Sequence, residues 1–233
     1  FLFLCLVLLI PSNIKAKELV LKSFGHSQFL IKGDGKSILI NPFKASGCAS
    51  TFKESNNIDK DFIIASSRLT DEGYNPNNDL MFVDPGTYEF NNLILNGISI
   101  PHDRLNGRRF GMATVWTWNQ SNFKIVHMAG ASAAITLQDQ IYLNRPDILF
   151  ISIGGGLKSY SGKEASEIIN ILKPKIIIPV HFLSKKRKID NCEYSNEEEF
   201  LENIFNYKVK YIGNKLKINS NNYKNKIIYF FRN

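Results

Sequence analysis

The sequence predicts an α/β (α+β) protein in which two mixed β-sheets are flanked by helices. The first half of the 233-residue chain is rich in hairpin patterns, and the second half alternates strands with helices. Two runs of the second half, at 147–153 and 175–182, are apolar without alternation, which is typical of strands buried on both faces. The hydrophobic content of 44% suits a packed core.

The first ten residues, FLFLCLVLLI, form an apolar run that is too short to cross a bilayer of about 30 Å as a helix. Pro11 and Ser12 follow, and then Ile14-Lys15-Ala16, which fits a small-residue cleavage site. We therefore predict that residues 1–16 are a signal peptide, truncated at its start, of an exported protein. A retained membrane anchor is the alternative. Residues 17–233 are predicted to form a single domain.

Strand patterns dominate residues 19–130. The runs LVLKSFGHSQFLIKG and KSILINPF are rich in β-forming residues and are joined by a Gly-Asp-Gly turn, so residues 19–43 are predicted to form a hairpin. Residues 111–130 predict a second hairpin, because Thr114, Trp116 and Trp118 alternate with their neighbours as far as a polar turn. Shorter apolar runs predict strands at 61–66, 79–84 and 92–100.

Two capping-box patterns predict helices in the second half of the chain. The capping pairs are Ser161 with Glu164 and Ser195 with Glu198. An apolar stripe at helical spacing follows each pair, from Ala165 to Leu172 and from Phe200 to Phe205. The tail is predicted to form two final strands, at 209–218 and 226–233.

The four histidines all lie near predicted strand ends, where loops accumulate functional residues. They are His26, His102, His127 and His181. A lone histidine is more often a satisfied core or surface residue than a ligand. Four histidines at strand ends nevertheless indicate a candidate site.

The surroundings of these histidines resemble metallo-β-lactamase-fold proteins. The stretch FGHSQFLIKGDGKSILINPF resembles the opening of the fold in small metal-dependent hydrolases related to ascorbate-phosphate lactonases. Four further stretches resemble later motifs of the family in the same order: ISIPHD, IVHMAGAS, DILFISIGGG and KPKIIIPVHF. The resemblance covers residues 19–183 and implies a four-layer αββα sandwich.

The resemblance also implies a metal site, and this sequence departs from it. In the family, the strand at 61–66 ends in Thr-His-x-His-x-Asp-His, whose side chains bind two metal ions. Here the corresponding residues are Ser66, Ser67, Leu69, Asp71 and Glu72. Gly130 stands in place of the aspartate that bridges the two ions. Without that carboxylate, a pair of neighbouring metal ions would repel each other with little compensation.

A single-metal site remains conceivable from the residues that are left. His102, His181 and Asp71 are the candidate ligands, with Glu72 assisting and Asp71 as the candidate catalytic residue. The cofactor would then be one Zn or Mn ion. The alternative that the sequence leaves open is a protein that binds no metal. Asp71 and Glu72 could equally be an acidic pair at the start of a helix.

His26, Ser67, Gly130 and Gly155 are predicted to line a substrate pocket. The glycine run 154–156 could cradle an anion with its amides, although tight packing against the metal pocket is the favoured interpretation. Ser67 is not expected to be a nucleophile, because no base partner is evident and no Gly-x-Ser-x-Gly motif occurs.

Two functions fit these residues. The favoured hypothesis is a pseudoenzyme-like member of the fold, with weak or no dinuclear metal hydrolysis, that binds a small-molecule ligand or a partner. The alternative is an active mononuclear metal-dependent hydrolase of an ester, lactone or phosphodiester. A nucleic-acid binder is disfavoured despite a net charge of +8, because no localised basic and aromatic groove is evident. A membrane partner is not expected after signal cleavage, and the oligomeric state is not predicted.

Two smaller features of the sequence are a pair of cysteines and a run of basic residues. Cys48 and Cys192 could form a disulfide in an exported protein or remain two separate thiols. The basic run Lys185–Lys188 is interpreted as a solvated loop.

Overall fold

The computed structural model describes residues 17–55, 57–184, 189–190, 192–222 and 226–232. The predicted signal peptide at 1–16 and the basic run at 185–188 lie outside the described residues. No helix among the described residues is long and apolar enough to cross a membrane.

The first sheet has six strands in the order β13-β1-β2-β3-β4-β5. Their bounds are Glu18–Gly25 (β1), Gln28–Gly33 (β2), Lys36–Ile40 (β3), Phe62–Ile64 (β4), Met81–Phe82 (β5) and Lys215–Asn219 (β13). The sheet is mixed, because β1, β2, β3 and β13 pair antiparallel whereas β4 pairs parallel with β3 and β5.

The second sheet has eight strands in the order β12-β14-β11-β10-β9-β8-β7-β6. Their bounds are Gly86–Phe90 (β6), Leu93–Pro101 (β7), Met112–Gln120 (β8), Phe123–Met128 (β9), Ile148–Ser152 (β10), Ile176–Val180 (β11), Lys208–Ile212 (β12) and Ile227–Phe231 (β14). Strands β6, β7, β8 and β9 pair antiparallel with one another in sequence order. Strands β9, β10, β11, β14 and β12 pair parallel in that spatial order. Two mixed sheets confirm the predicted fold class.

Three short α-helices pack on the outer face of the second sheet: Leu137–Leu143 (α1), Gly162–Leu172 (α2) and Glu198–Asn203 (α3). Helix α2 has the predicted capping box of Ser161 and Glu164. Helix α1 was not predicted, although Thr136 and Asp139 form a capping box at its start. Among the described residues, the outer face of the first sheet carries no α-helix; residues 53–55 and 57–59 lie beside its outward side chains.

The main core lies between the two sheets. Alternate residues of β8, including Trp116 and Trp118, pack against apolar side chains of the first sheet. The indole nitrogen of Trp116 donates a 2.8 Å hydrogen bond to the carbonyl of Ala65, just after β4. Since a buried indole N–H needs an acceptor, this bond joins the second sheet to the loop that begins at Ser66.

Three local predictions differ from the structure. The run 19–33 is broken by a turn at His26, because Gly25 and His26 both have positive φ angles of 100° and 53°. The run 209–218 is two strands in different sheets, β12 and β13. Helix α3 begins with Glu197 as its N-cap instead of Ser195, and the Asn196 side chain accepts a bond from the Glu198 amide.

Cys48 and Cys192 form a disulfide, which resolves the question that the sequence left open. It joins the irregular segment after β3 to the segment after β11, across a sequence separation of 144 residues. A cross-link that closes so long a loop restricts the unfolded chain strongly.

Removing the disulfide is expected to lower the free energy of unfolding by about 2–5 kcal/mol, because the unfolded chain regains loop entropy. The test is urea unfolding of a Cys48→Ala/Cys192→Ala variant beside wild-type protein, oxidised and reduced. Reduced wild-type protein should match the variant. Equal unfolding midpoints for all three samples would contradict the prediction.

Candidate functional site

The candidate site lies at the ends of strands from both sheets. His26 sits in the β1–β2 turn, His102 follows β7, and His181 follows β11. The loop after β4 brings Ser67, Asp71 and Glu72 to the same region. Its first residue, Ser66, donates its amide to the side-chain oxygen of Asn41 at 2.8 Å, so the loop starts from a fixed point.

Glu72 is the centre of the first group of side chains. It is fully buried, and its Oε1 accepts hydrogen bonds at 2.5 Å from both His102 Nε2 and Ser67 Oγ. Ser67 Oγ in turn accepts a bond from the amide of Leu69 at 3.1 Å. The serine that replaces the family's first histidine thus supports the carboxylate.

The protonation states of this pair follow from burial and mutual attraction. Burial alone would raise the pKa of the Glu72 carboxyl, but the charge and hydrogen bond of His102, with help from His181 and Ser67, hold that pKa below its ordinary value. Burial alone would lower the pKa of His102, but Glu72 raises it above its ordinary value. Each member of the pair thus favours the charged form of the other.

Gly130 leaves room for the Glu72 carboxylate. A Cβ built on Gly130 would lie 2.8 and 2.9 Å from the two carboxylate oxygens and 2.6 Å from Ser66 Cβ. The space into which a side chain at position 130 would project is therefore filled by Glu72. Gly130 borders the cluster and leaves its space to this carboxylate; its role as a substrate-pocket residue stays a prediction.

Asp71 belongs to a second group. Its Oδ2 accepts a hydrogen bond from Lys158 Nζ and lies 4.0 Å from His26 Nε2. Both side chains of the ion pair are about one-fifth exposed, at 20% for Asp71 and 19% for Lys158. Sequence reasoning missed Lys158. The available signal was its place two residues after the glycine run that ends a buried strand.

His26 and His181 form a third group with Tyr194. The two imidazole centroids are 4.4 Å apart, and the Tyr194 ring stacks at 6.0 Å on His26 and 5.8 Å on His181. His181 Nδ1 donates to the carbonyl of Ala129 at 3.2 Å. Burial lowers the pKa of both histidines, so both rings are neutral, and neither Nε2 atom has a hydrogen-bond partner within the described part of the chain.

His127 is a core histidine. Its ring packs 5.7 Å from that of Phe150, and neither ring nitrogen has a hydrogen-bond partner among the residues that the structure describes. Burial lowers its pKa to about 3, so the ring is neutral. His127 is thus a buried core residue, which is the common role of a lone histidine.

The glycine run 154–156 serves a turn. Gly155 has a φ of 71°, and its amide donates to the Tyr160 carbonyl at 2.8 Å. A Cβ built on Gly154 would lie 2.2 Å from the His181 carbonyl oxygen, so the run packs against the end of β11. This geometry agrees with the tight-packing interpretation.

The candidate ligands as placed do not fit a metal ion. Among the described residues, no three or more His, Cys, Asp or Glu side chains are grouped so that they could hold one. The expected set of His102, His181, Asp71 and Glu72 is divided between the Glu72–His102 pair and the Asp71–Lys158 pair. The Nε2 atom of His102 is engaged with Glu72 Oε1 at 2.5 Å, so it is not available to a metal in this arrangement.

Comparisons with known proteins agree with the fold. Residues 20–181 match the family described as "Beta-lactamase superfamily domain", so the chain belongs to that family. It is the metallo-β-lactamase superfamily, whose members usually bind zinc or other metals. No curated protein matches the chain.

Three solved structures of similar fold illustrate the likeness. The first is a candidate Zn-dependent hydrolase of the metallo-β-lactamase superfamily from Thermotoga maritima, at 22% identity and a TM-score of 0.72, covering 91% of this chain and 98% of that one. The metallo-β-lactamase fold protein YhfI from Bacillus subtilis is 10% identical with a TM-score of 0.60, and the match covers 88% of this chain and 100% of that one. The metallo hydrolase Igni18 from Ignicoccus hospitalis is 15% identical with a TM-score of 0.57, and the match covers 87% of this chain and 98% of that one. At these identities the likeness shows the fold alone.

Adding a methyl group at Gly130 should destabilise the protein by about 1–3 kcal/mol, because the new Cβ would overpack the site against Glu72 and Ser66. The change is Gly130→Ala, measured by urea unfolding. Gly213→Ala is the matched control, since a Cβ there meets no atom of the described residues within 4 Å. Equal stabilities of the two variants would show that Glu72 does not occupy this space.

Stability should rise with pH up to about pH 7 and fall above it, because three histidines with lowered pKa values outweigh one with a raised pKa until then. His26, His127 and His181 have pKa values lowered from an ordinary value of 6.5, so the unfolded chain binds more protons below that pH and stability falls on acidification. The raised pKa of His102 acts oppositely: its contribution is complete below 6.5 and is lost as the pH rises through the folded value.

The measurement is the free energy of unfolding from pH 5 to pH 8. Each neutral histidine contributes a slope of up to about 1.4 kcal/mol per pH unit below the peak. In a His127→Leu variant, the slope of the free energy of unfolding against pH should be smaller by the contribution of one histidine. A flat profile between pH 5 and 6.5 would refute buried neutral histidines.

Proposed function

We propose that this protein is a non-hydrolytic member of the metallo-β-lactamase superfamily that binds a small-molecule ligand or a partner. Its scaffold descends from metal-dependent hydrolases, in the branch related to ascorbate-phosphate lactonases. The dinuclear centre of that branch is replaced by hydrogen-bonded side chains of the chain itself.

One observation carries this proposal: Glu72 takes the space beside Gly130 and is already bonded to His102 and Ser67. A catalytic zinc needs about three protein ligands with free lone pairs and an open position for water. Here Glu72 Oε1 accepts two short hydrogen bonds, one of them from the histidine that would have to serve as a ligand. Replacing these bonds by a metal would require breaking a buried ion pair.

A cavity beside the cluster supports a binding role. It has a volume of about 490 Å³, which is in the range of small-molecule sites. His26 contributes to its wall, and most of the other side chains around it are aromatic or apolar. Those are Phe29, Phe52, Phe182, Leu201, Tyr211, Phe230 and Phe231, with Glu197, Glu198 and Arg232 as charged neighbours.

Export is part of the proposal. The Cys48–Cys192 disulfide supports an oxidising compartment, such as a periplasm, an organelle lumen or the extracellular space. Nucleic acid and membrane are not proposed as partners.

The second candidate function is a mononuclear hydrolase of an ester, lactone or phosphodiester with one Zn or Mn ion. Its support is that His26 Nε2, His181 Nε2 and Glu72 Oε2 have no hydrogen-bond partner in the described ranges of the chain. Unpartnered buried polar atoms call for an explanation, and an ion is one of the available explanations. This candidate requires the Asp71–Lys158 and Glu72–His102 pairs to separate first.

Metal analysis and turnover assays distinguish the two functions. After dialysis against zinc or manganese and removal of free ion, the wild-type protein should hold much less than one ion per chain by elemental analysis. It should show no turnover of model phosphodiesters or lactones. One ion per chain that is lost in a His102→Ala/His181→Ala variant, together with turnover, would establish the mononuclear hydrolase instead.

A further inference from the structure

The cavity of about 490 Å³ has an apolar floor and a charged rim. Phe29 and Phe230 are part of its wall and are almost completely buried, whereas Tyr211, Glu198 and Arg232 are exposed. The wall joins the two sheets, because Phe29 belongs to β2 and Phe230 to β14. A ligand that fits this gradient has an apolar body that lies inward and a polar or charged group that lies near the rim.

Aromatic rings dominate the wall, and several of them are held in place by their neighbours. The Phe230 ring stacks on the Tyr211 ring with 5.1 Å between centroids. The Phe52 ring packs directly on the β1–β2 turn, where a Cβ built on Gly25 would overlap it. The faces of such rings attract cations. The guanidinium of Arg232 already uses this attraction, since its Cζ lies 4.4 Å from the Tyr211 centroid.

Two carboxylates at the start of α3 also line the cavity, those of Glu197 and Glu198. Glu197 Oε2 is buried and has no hydrogen-bond partner among the residues that the structure describes. The Glu197 side chain does not cap the helix, and the helix dipole, which favours an acid here, supplies no hydrogen bond to this oxygen. Glu198 differs, because it is exposed and accepts a bond from Asn196 Nδ2 at 2.9 Å. An N–H group of a ligand would satisfy the oxygen of Glu197.

The charges around the cavity favour a cation over an anion. The described wall residues include two carboxylates and one guanidinium, and that guanidinium lies against the Tyr211 ring. An organic cation is attracted both by the carboxylates and by the aromatic faces. An anion of the same shape would be repelled by the carboxylates and would gain nothing from the rings.

We propose that this cavity binds a hydrophobic ammonium compound. Its protonated amine donates to Glu197, and its aromatic or branched apolar body fills the space that the aromatic side chains line. This inference rests on the proposed function, because it names the class of small molecule that a non-hydrolytic member of the fold binds.

The test uses three probes that share a naphthalene ring and differ in charge: naphthylethylammonium, naphthylethanol and naphthylacetate. Their dissociation constants are measured on the oxidised protein by isothermal titration calorimetry, at neutral pH and at low ionic strength because salt screens charges near the surface. We expect the ammonium to bind at least about tenfold tighter than either other probe, which corresponds to about 1.4 kcal/mol.

Two variants separate the carboxylate from the rings. Glu197→Gln keeps the shape and removes the charge, so it should weaken binding of the ammonium about tenfold and leave binding of the alcohol unchanged. Phe52→Leu keeps an apolar side chain without a ring face, so it should weaken the ammonium more than the alcohol. Glu202→Gln is the matched control, since Glu202 is exposed on α3 and lies outside the set of described residues that line the cavity.

Equal affinities for the three probes, tightest binding of the acetate, or no binding of any probe would overturn the inference. An ammonium affinity that a folded Glu197→Gln protein retains in full would overturn it as well. The comparison of probes on wild-type protein decides the matter even where a variant does not fold. The proposed function fails on a separate measurement, namely one metal ion per chain with turnover of a phosphodiester or lactone by the wild-type protein.

Discussion

The arrangement of this cluster depends on one requirement: a carboxylate that is sealed from water must have a cation or hydrogen-bond donors beside it. Glu72 meets that requirement with His102 and Ser67. Gly130 must stay small because the carboxylate lies where a side chain would project. The substitutions at 67, 72 and 130 are therefore physically linked, since each one accommodates the others.

The fold does not depend on this chemistry. The core between the sheets is built from aromatic and branched aliphatic side chains, and a second core joins the eight-stranded sheet to its helices. Burial of that apolar surface supplies the main stabilisation whether or not an ion is bound. Such a scaffold can change the residues at its strand ends without changing its architecture.

Sequence patterns predicted the architecture well and the cluster only partly. Unbroken apolar runs located β10 and β11, and the Ser161–Glu164 capping box located α2, because these signals are local. Motif order located Glu72, His102 and Gly130. It could not reveal that Glu72 turns toward His102, since that orientation depends on space left by a residue 58 positions away. Lys158 was missed because a lysine in a loop looks the same in sequence whether it faces solvent or a carboxylate.

The disulfide has a local effect that its long separation in sequence conceals. Phe52 lies four residues after Cys48, Tyr194 lies two residues after Cys192, and both rings contact His26. The disulfide thus fixes the two chain segments that place the Phe52 and Tyr194 rings against the His26 imidazole. The packing around His26 consequently depends on the redox state of the surroundings, because reduction of the disulfide would free both segments together.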